Sequence, residues 1–523
     1  MYSFNTYSFD KQGLNELKKK DPFPSVYIIE NGSEIYIGEA VDPAKRIQSH
    51  ISKMIVSQPA NMHIISNEDF NKSVILDLES YLIQLVKSEG KLSMINKNEL
   101  GVRHNYFMRQ SYQNRFPEIW RKLIELGLSE KHEELIKNSQ IFDFSPYKSL
   151  FQEQEIIVDE ILDLIENNEK NVFVIYGEAG SGKTIVANYL LKALYEKNKD
   201  VALVFSMTSI RKTIKDVFKK VLGMEERIIG PADLRHKRYE ILIVDETHRL
   251  NRRKNLANYG VFDSVNKHFG LDNDGDQFDW VIKSADTVIL FFDANQSIKP
   301  SDILSKKVKQ FIDGSNSIEF TLENQIRVNG GKNYLDMINA ILYEKEVKKL
   351  RIKNYDFKLF DNIHEMYSAI QNQETVHGFS RLIAGYDWAW DKNSEFDIEI
   401  NGLKLKWNSK TEDWISSPNS INEVGSIHTT QGYTLNYSGV IIGPSLGYDK
   451  NKNQIVAFPD LYKDRNGKAG IEPDQLKEFI LNIYYVLLTR ARLGTYIFIE
   501  DINLREYFKN QIPEIINTNS SER

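Results

Sequence analysis

The stretch that most constrains this chain lies between residues 171 and 194. It runs as an apolar segment NVFVIY, then Gly177-Glu-Ala-Gly-Ser-Gly-Lys-Thr184, then the apolar segment IVANYLLKAL. The first segment has the length and β-branched content of a buried strand, and the last has the length of a helix. Gly177, Gly180 and Gly182 let backbone N–H groups close around an anion at that helix's N-terminus. In this setting Lys183 reaches the β- and γ-phosphates of a nucleotide and Thr184 holds Mg2+. Such a loop works at the carboxyl edge of a parallel sheet, so the chain must build one.

The flanking sequence supplies it. From about residue 149, the apolar runs VFVIYG, VALVFS, YEILIVDE and TVILFFD alternate with helical segments, the pattern of a parallel sheet with crossover helices. Ile241 to Val244 deliver Asp245 and Glu246 to the end of a buried strand. Asp245 suits the Mg2+ shell and Glu246 suits positioning the attacking water. A second strand set (GSIHTTQG, YSGVIIG, GTYIFIE) follows residue 420, and FDIEINGLKLKW within 385–420 reads as an inserted hairpin.

The amino-terminal part is organised differently. Residues 24–38 read as two short strands turning at Asn31-Gly32, and helical patterns follow at 43–56 and 74–88. Arg46 and His50, four residues apart, share a helix face, and Glu79 also falls on a helix. Gly38 is expected where a strand and a helix approach closely. Residues 105–148 read as a helical connector. The expected division is therefore 1–104, 105–148, 149–312 and 313–523. Trp388 and Trp390 read as core residues.

Charge says little about partners. Residues 1–150 carry 19 Lys and Arg against 19 Asp and Glu, within a chain of net charge −6. Phosphate contacts would have to come from local clusters such as Arg211-Lys212, Lys215 and Lys219-Lys220. No apolar run approaches the roughly 18–20 residues of a membrane helix, and the first residues lack the order of a secretory signal. Cysteine is absent, which excludes disulfides and Cys-ligated zinc and fits a cytoplasmic location.

The later motifs carry a resemblance. In order come Gln154, the phosphate loop, Asp245-Glu246, Asp293 and Gln296 in FFDANQS, Arg327 in LENQIR, His428 to Gly432 in SIHTTQGYT, and Arg490 in YYVLLTRAR. This series, over roughly 149–500, resembles superfamily 1 helicases, and SRLIAGYDWAW with YYVLLTRARLG resembles the Schlafen-type helicases of bacteria. The resemblance implies two RecA-like domains that use ATP. Gln154 would face the adenine, Gln296 would couple the γ-phosphate to movement, and Arg327 and Arg490 would be arginine fingers. Thr434 stands where many relatives carry Glu, a form similar to the branch that tracks strands 5′ to 3′.

Tyr27, Tyr36-Ile37-Gly38, Arg46, His50, Glu79 and Asn96 together resemble the GIY-YIG nucleases, with Ser25-Val26 in place of Gly-Ile. By this resemblance Glu79 would anchor Mg2+ or Mn2+, a Lewis acid for the phosphate. Tyr27 or Tyr36 would act at the attacking water with His50 assisting, Arg46 would bind phosphate, and Asn96 would hold the loop after the Glu79 helix. The combined expectation is an α/β chain: a small mixed domain, then two parallel-sheet domains, joining an ATP-dependent helicase or translocase to a metal-dependent nuclease acting on nucleic acid, DNA rather than RNA. The family suggests bacterial defence against phage. Two alternatives stay open: an ATP-gated nuclease switch or sensor that does not unwind, and a helicase whose nuclease-like module only binds.

Overall fold

The computed structural model describes residues 2–20, 23–53, 57, 59–96, 106–131, 133, 136, 144, 150–167, 172–178, 180–256, 258–293, 296–325, 327–347, 352–391, 393–410, 414–430 and 433–512. The chain forms two compact units, Met1–Ser149 and Leu150–Arg523.

The first unit is built on strands β1 (Ser3–Ser8), β2 (Ser25–Glu30), β3 (Glu34–Ala40), β4 (Asn61–Ser66) and β5 (Ser93–Met94), in the sheet order β1-β4-β2-β3-β5. The β2–β3 turn forms because Gly32 takes φ +84° and the Asn31 side-chain oxygen accepts from the amides of Ser33 and Glu34. Strand alternation then sorts the side chains. Val26, Ile28, Ile35 and Ile37 pack with helix α3 (Lys72–Glu89), while Tyr27, Ile29 and Ala40 pack with α1 (Lys11–Leu17) and α2 (Pro43–Lys53).

Two short helices follow, α4 (Arg109–Gln113) and α5 (Phe116–Glu125). Phe116, Ile119, Trp120 and Leu123 of α5 lie buried in the core beside α3. Helix α5, expected in a connector, is thus a core element of the first unit, because its apolar residues recur on a single face.

The second unit contains two sheets. The first orders its strands β11-β6-β10-β9-β7-β8, all parallel: β6 (Val172–Gly177), β7 (Val201–Phe205), β8 (Ile228–Ile229), β9 (Tyr239–Asp245), β10 (Ala285–Phe292) and β11 (Ser317–Leu322). β11 lies past residue 312 yet forms the edge beside β6. The second sheet runs β12-β20-β17-β13-β16-β15-β14, from β12 (Asp356–Phe360), β13 (Ser380–Ala384), β14 (Ile398–Ile400), β15 (Leu403–Trp407), β16 (Glu423–Ser426), β17 (Leu435–Ile442) and β20 (Ala491–Ile499). A separate ribbon pairs β18 (Leu446–Asp449) with β19 (Gln454–Ala457).

The expected hairpin is β14–β15, turning at Asn401-Gly402 with positive φ at both. It joins the second sheet's edge through β15–β16. Trp388 packs edge-on against the buried Trp407. Trp390, expected in the core, is 49% exposed, since it follows the end of the apolar segment that forms β13. Among the described residues, no helix is long and apolar enough to cross a membrane.

Candidate functional site

The nucleotide side of the second unit assembles at one sheet edge. Parallel registers set Phe292 beside Tyr176, and Leu290 beside Val244. The ends of β6, β9 and β10 therefore bring Gly177, Asp245 and Asp293 together. Gly180 and Gly182 take φ +88° and +87°, and a Cβ on Gly180 would sit 2.7 Å from the Cβ of Arg327. Helix α6 (Gln152–Glu166) packs beside α7 (Lys183–Glu196), which the loop opens.

Lys183 Nζ donates to the carbonyls of Gly177 (2.6 Å) and Glu178 (3.1 Å) and lies 3.9 Å from Asp293. Thr184 Oγ1 donates to Asp245 at 2.7 Å, which joins the two groups expected to share Mg2+. Burial and the neighbouring Glu246 raise the Asp245 carboxyl above its ordinary range. A carboxylate short of compensation beside a hydroxyl fits a divalent cation, which would supply charge neutralisation for the phosphates. Gln296 donates to Asp293 at 2.5 Å, so the expected coupling glutamine reaches Lys183 through one carboxylate.

Glu246 sits at φ +52°, a backbone that non-glycine residues seldom adopt. Its carboxylate lies 2.9 Å from His248 Nε2, while the Asp293 amide donates to His248 Nδ1 at 3.4 Å. His248 thus sits between the Glu246 carboxylate and the start of the Asp293 segment. Burial alone would raise Glu246, but His248, Lys183 and Arg249 outweigh it and hold the carboxyl low.

Arg490 comes from the second sheet's side of the unit. It is 3% exposed and donates to the Tyr433 carbonyl at 3.2 Å, and its Nε has no hydrogen-bond partner among the described residues. Burial and the nearby Arg327 push its pKa down to about 9, against the pull of Glu246. The Tyr433 hydroxyl meets Thr213 Oγ1 at 3.0 Å, on helix α8 (Thr208–Leu222).

Two expectations change here. Gln154 is buried: its oxygen accepts from the Phe151 amide and its nitrogen donates to the Ser181 carbonyl at 3.1 Å. Its amide thus braces the phosphate loop, where an adenine contact was expected, because α6 packs directly beside α7. Arg211, in one of the clusters that could have offered a phosphate contact, turns inward to the Phe205 carbonyl (3.0 Å). Gln431 and Gly432 lie outside the described residues, while His428 is exposed, 3.8 Å from Asp464.

The first unit gathers its own group. Tyr27 Oη meets His50 Nε2 at 2.9 Å, Tyr36 stacks on Tyr27 with ring centroids 6.1 Å apart, and the Tyr36 and His50 rings lie 4.9 Å apart. Burial and Tyr36 raise the Tyr27 hydroxyl well above its ordinary range, against the pull of the Arg46 charge. Burial and Arg46 push His50 down to about 4, so the ring is neutral near pH 7. Of the two tyrosines, Tyr27 is buried and Tyr36 is partly exposed.

Glu79, on α3, is pushed up to about 7 by burial and by Glu39. Glu39 pairs with Lys72. A half-buried carboxylate close to a second one makes a pair that could hold a divalent cation on this edge. Asn96 receives the Ile37 amide at 3.1 Å and donates to the Ile37 carbonyl at 2.6 Å, which clamps the loop after α3 onto the Tyr36-Ile37-Gly38 strand. Gly38 has a different reason from the one expected: it faces Tyr27 across the hairpin, and a Cβ there would lie 2.5 Å from Tyr27 Cζ.

Sequence reasoning missed His248, Glu39 and Tyr433. A histidine two residues after Glu246 was a usable signal. Glu39 had none, because only the packing of α3 on β3 brings it to Glu79.

Fold and sites together define a P-loop NTPase of the helicase class that carries a nuclease-type domain. Residues 170–501 match the Schlafen group 3 DNA/RNA helicase domain, and residues 23–92 match the GIY-YIG catalytic domain. The chain belongs to the Schlafen group 3 helicase family and is a fusion of that helicase with a GIY-YIG domain. A Saccharomyces cerevisiae protein, Uncharacterized protein YPL245W, is 28% identical over 68% of this chain and 90% of its own length. The signal recognition particle receptor FtsY of Metamycoplasma hominis is 26% identical over 35% of this chain and 58% of its own. Among solved structures, Pif1 helicase from Candida albicans is similar over 69% of this chain and 99% of its own, at 15% identity and a TM-score of 0.30.

Proposed function

We propose that residues 149–523 form a motor that moves along nucleic acid by ATP hydrolysis, and that residues 1–104 cleave phosphodiesters with a divalent metal at Glu79. The observation that carries the motor reading is Arg490. A buried guanidinium from the second-sheet side is held close to Arg327 and Glu246 at the nucleotide edge of the first sheet. The Arg327 amide donates to the Gly180 carbonyl of the phosphate loop (3.2 Å), so both guanidiniums belong to the surroundings in which a γ-phosphate would develop charge. An arginine supplied from the other sheet links hydrolysis to relative motion, whereas a simple switch has no need of it. Lys183 binds the phosphates, Thr184 and Asp245 hold the metal, Gln296 relays the γ-phosphate's presence through Asp293, and Glu246 orients water.

In the nuclease, Arg46 takes the phosphate and neutral His50 accepts a proton through the tyrosine pair. DNA as substrate, Mg2+ or Mn2+ as the metal, a cytoplasmic setting and a role in phage defence rest on the family resemblance and on the absence of cysteine. Arg490→Ala tests the motor reading. It should lower the maximal ATPase rate by about 10³-fold with little change in nucleotide affinity and abolish strand displacement. Equal losses in rate and affinity would contradict it.

A further inference from the structure

Residues 2–20 precede the matched GIY-YIG segment, and they build something of their own. β1 adds a strand to the free edge of β4, and α1 packs against α2. A cavity of about 690 Å³ opens between them, lined by Asn5, Tyr7, Lys19, Lys20 and Phe23. A second hollow of about 320 Å³ continues it past Lys18, Lys45 and Gln48, sharing Leu17, Lys20 and Pro43.

The groove has the chemistry of a nucleic-acid channel. Lys18, Lys19, Lys20 and Lys45 line one continuous path, and none is paired with a carboxylate of a described residue. Lys18 and Lys20 instead donate to neutral amides, Gln48 (2.9 Å) and Asn5 (2.8 Å), where a phosphate could replace the partner. Phe23 is 45% exposed in the cavity wall, an aromatic surface on which an unstacked base could lie. Glu68 and Asp69 close the far wall, where Asp69 faces Arg115 at 3.6 Å. In the second hollow Asp42, whose Oδ1 accepts from the Lys45 amide (3.1 Å), is outnumbered by Lys18, Lys20 and Lys45.

The groove shares β2 and α2 with the nuclease group. Ser25, in the lining, pairs with Ala40, the residue after Glu39, and lies two residues before Tyr27. Lys45 adjoins Arg46 on α2.

We propose that this groove holds the single-stranded segment beside the bond to be cut, with phosphates on Lys18, Lys19, Lys20 and Lys45 and an unstacked base on Phe23. The inference rests on the nuclease reading of the first unit, but its test does not. Full-length Glu79→Ala, in EDTA and without nucleotide, would be irradiated with short single-stranded DNA or RNA oligonucleotides carrying 5-iodouracil, and the crosslinked peptides mapped. Crosslinks should fall on Tyr7 or Phe23. Adding Lys19→Ala and Lys20→Ala should lower their yield about tenfold or more and flatten its salt dependence by about one log unit per lysine. Crosslinks confined to residues 150–523, an unchanged yield in the lysine variant, or equal crosslinking to a duplex would overturn the proposal. Cleavage by the Glu79-intact chain with Mg2+ is read separately, so a chain that crosslinks in the groove yet never cuts would sink the nuclease reading and keep the groove.

Discussion

Glu246 depends on a neighbour two residues along the chain, and His50 on one that chain order does not place beside it. Glu246 is held in a left-handed backbone, its carboxylate 2.9 Å from His248. Glu246→Gln should keep ATP binding while turnover falls about 10²–10⁴-fold, measured as steady-state ATPase beside nucleotide affinity. His50 gives a pH signature. Its folded pKa, about 4, lies below the ordinary 6.5. The stability it lends is present above pH 6.5 and lost as pH falls toward 4, because the unfolded chain takes up the proton first. Melting of the full chain across that window should show the loss in the first unit, and His50→Gln should flatten it. At this scale the carboxylate pair, the lysine and the nuclease tyrosines were legible, since each belongs to a contiguous or regularly spaced motif. Glu39 was not, because its meeting with Glu79 is made by tertiary packing alone.

Among the elements, two contacts hold the sites in place. Gly38 leaves room for the Tyr27 ring across the hairpin, so Gly38→Ala should push Tyr27 off His50. The expected result is a stability loss of about 1–3 kcal/mol in the first unit, loss of cleavage and an unchanged ATPase. The second contact is the buried pair of Arg249 with Asp302 (2.8 Å), in which Asp302 also receives the Ile298 amide (2.9 Å) and so ties down the segment after Gln296. Asp302→Ala removes a buried carboxylate partner from Arg249 and should destabilise the second unit by about 3–5 kcal/mol, read by denaturant unfolding. The parallel strands were visible in the sequence as apolar runs, and the β14–β15 hairpin as Asn401-Gly402 between alternating residues. The connector was misread for a physical reason: α5 has the same amphipathic pattern whether its apolar face covers its own domain or bridges two.

The whole molecule joins two enzymes with separable chemistry, neither part strongly basic. A tethered pair gains from high effective local concentration on one strand. Cleavage by the intact chain should therefore change when ATP is added, and change differently with a non-hydrolysable analogue. The most direct test of the central claim is a paired assay of nucleic-acid cleavage and ATP hydrolysis on the full chain, with Mg2+, comparing wild type, Glu79→Ala and Lys183→Ala. Glu79→Ala should stop cutting and leave nucleic-acid-stimulated ATPase within a few-fold of wild type. Lys183→Ala should abolish ATPase and leave the chain able to cut, at a rate that no longer responds to ATP. Cutting that survives Glu79→Ala, or ATPase that survives Lys183→Ala, would contradict the account.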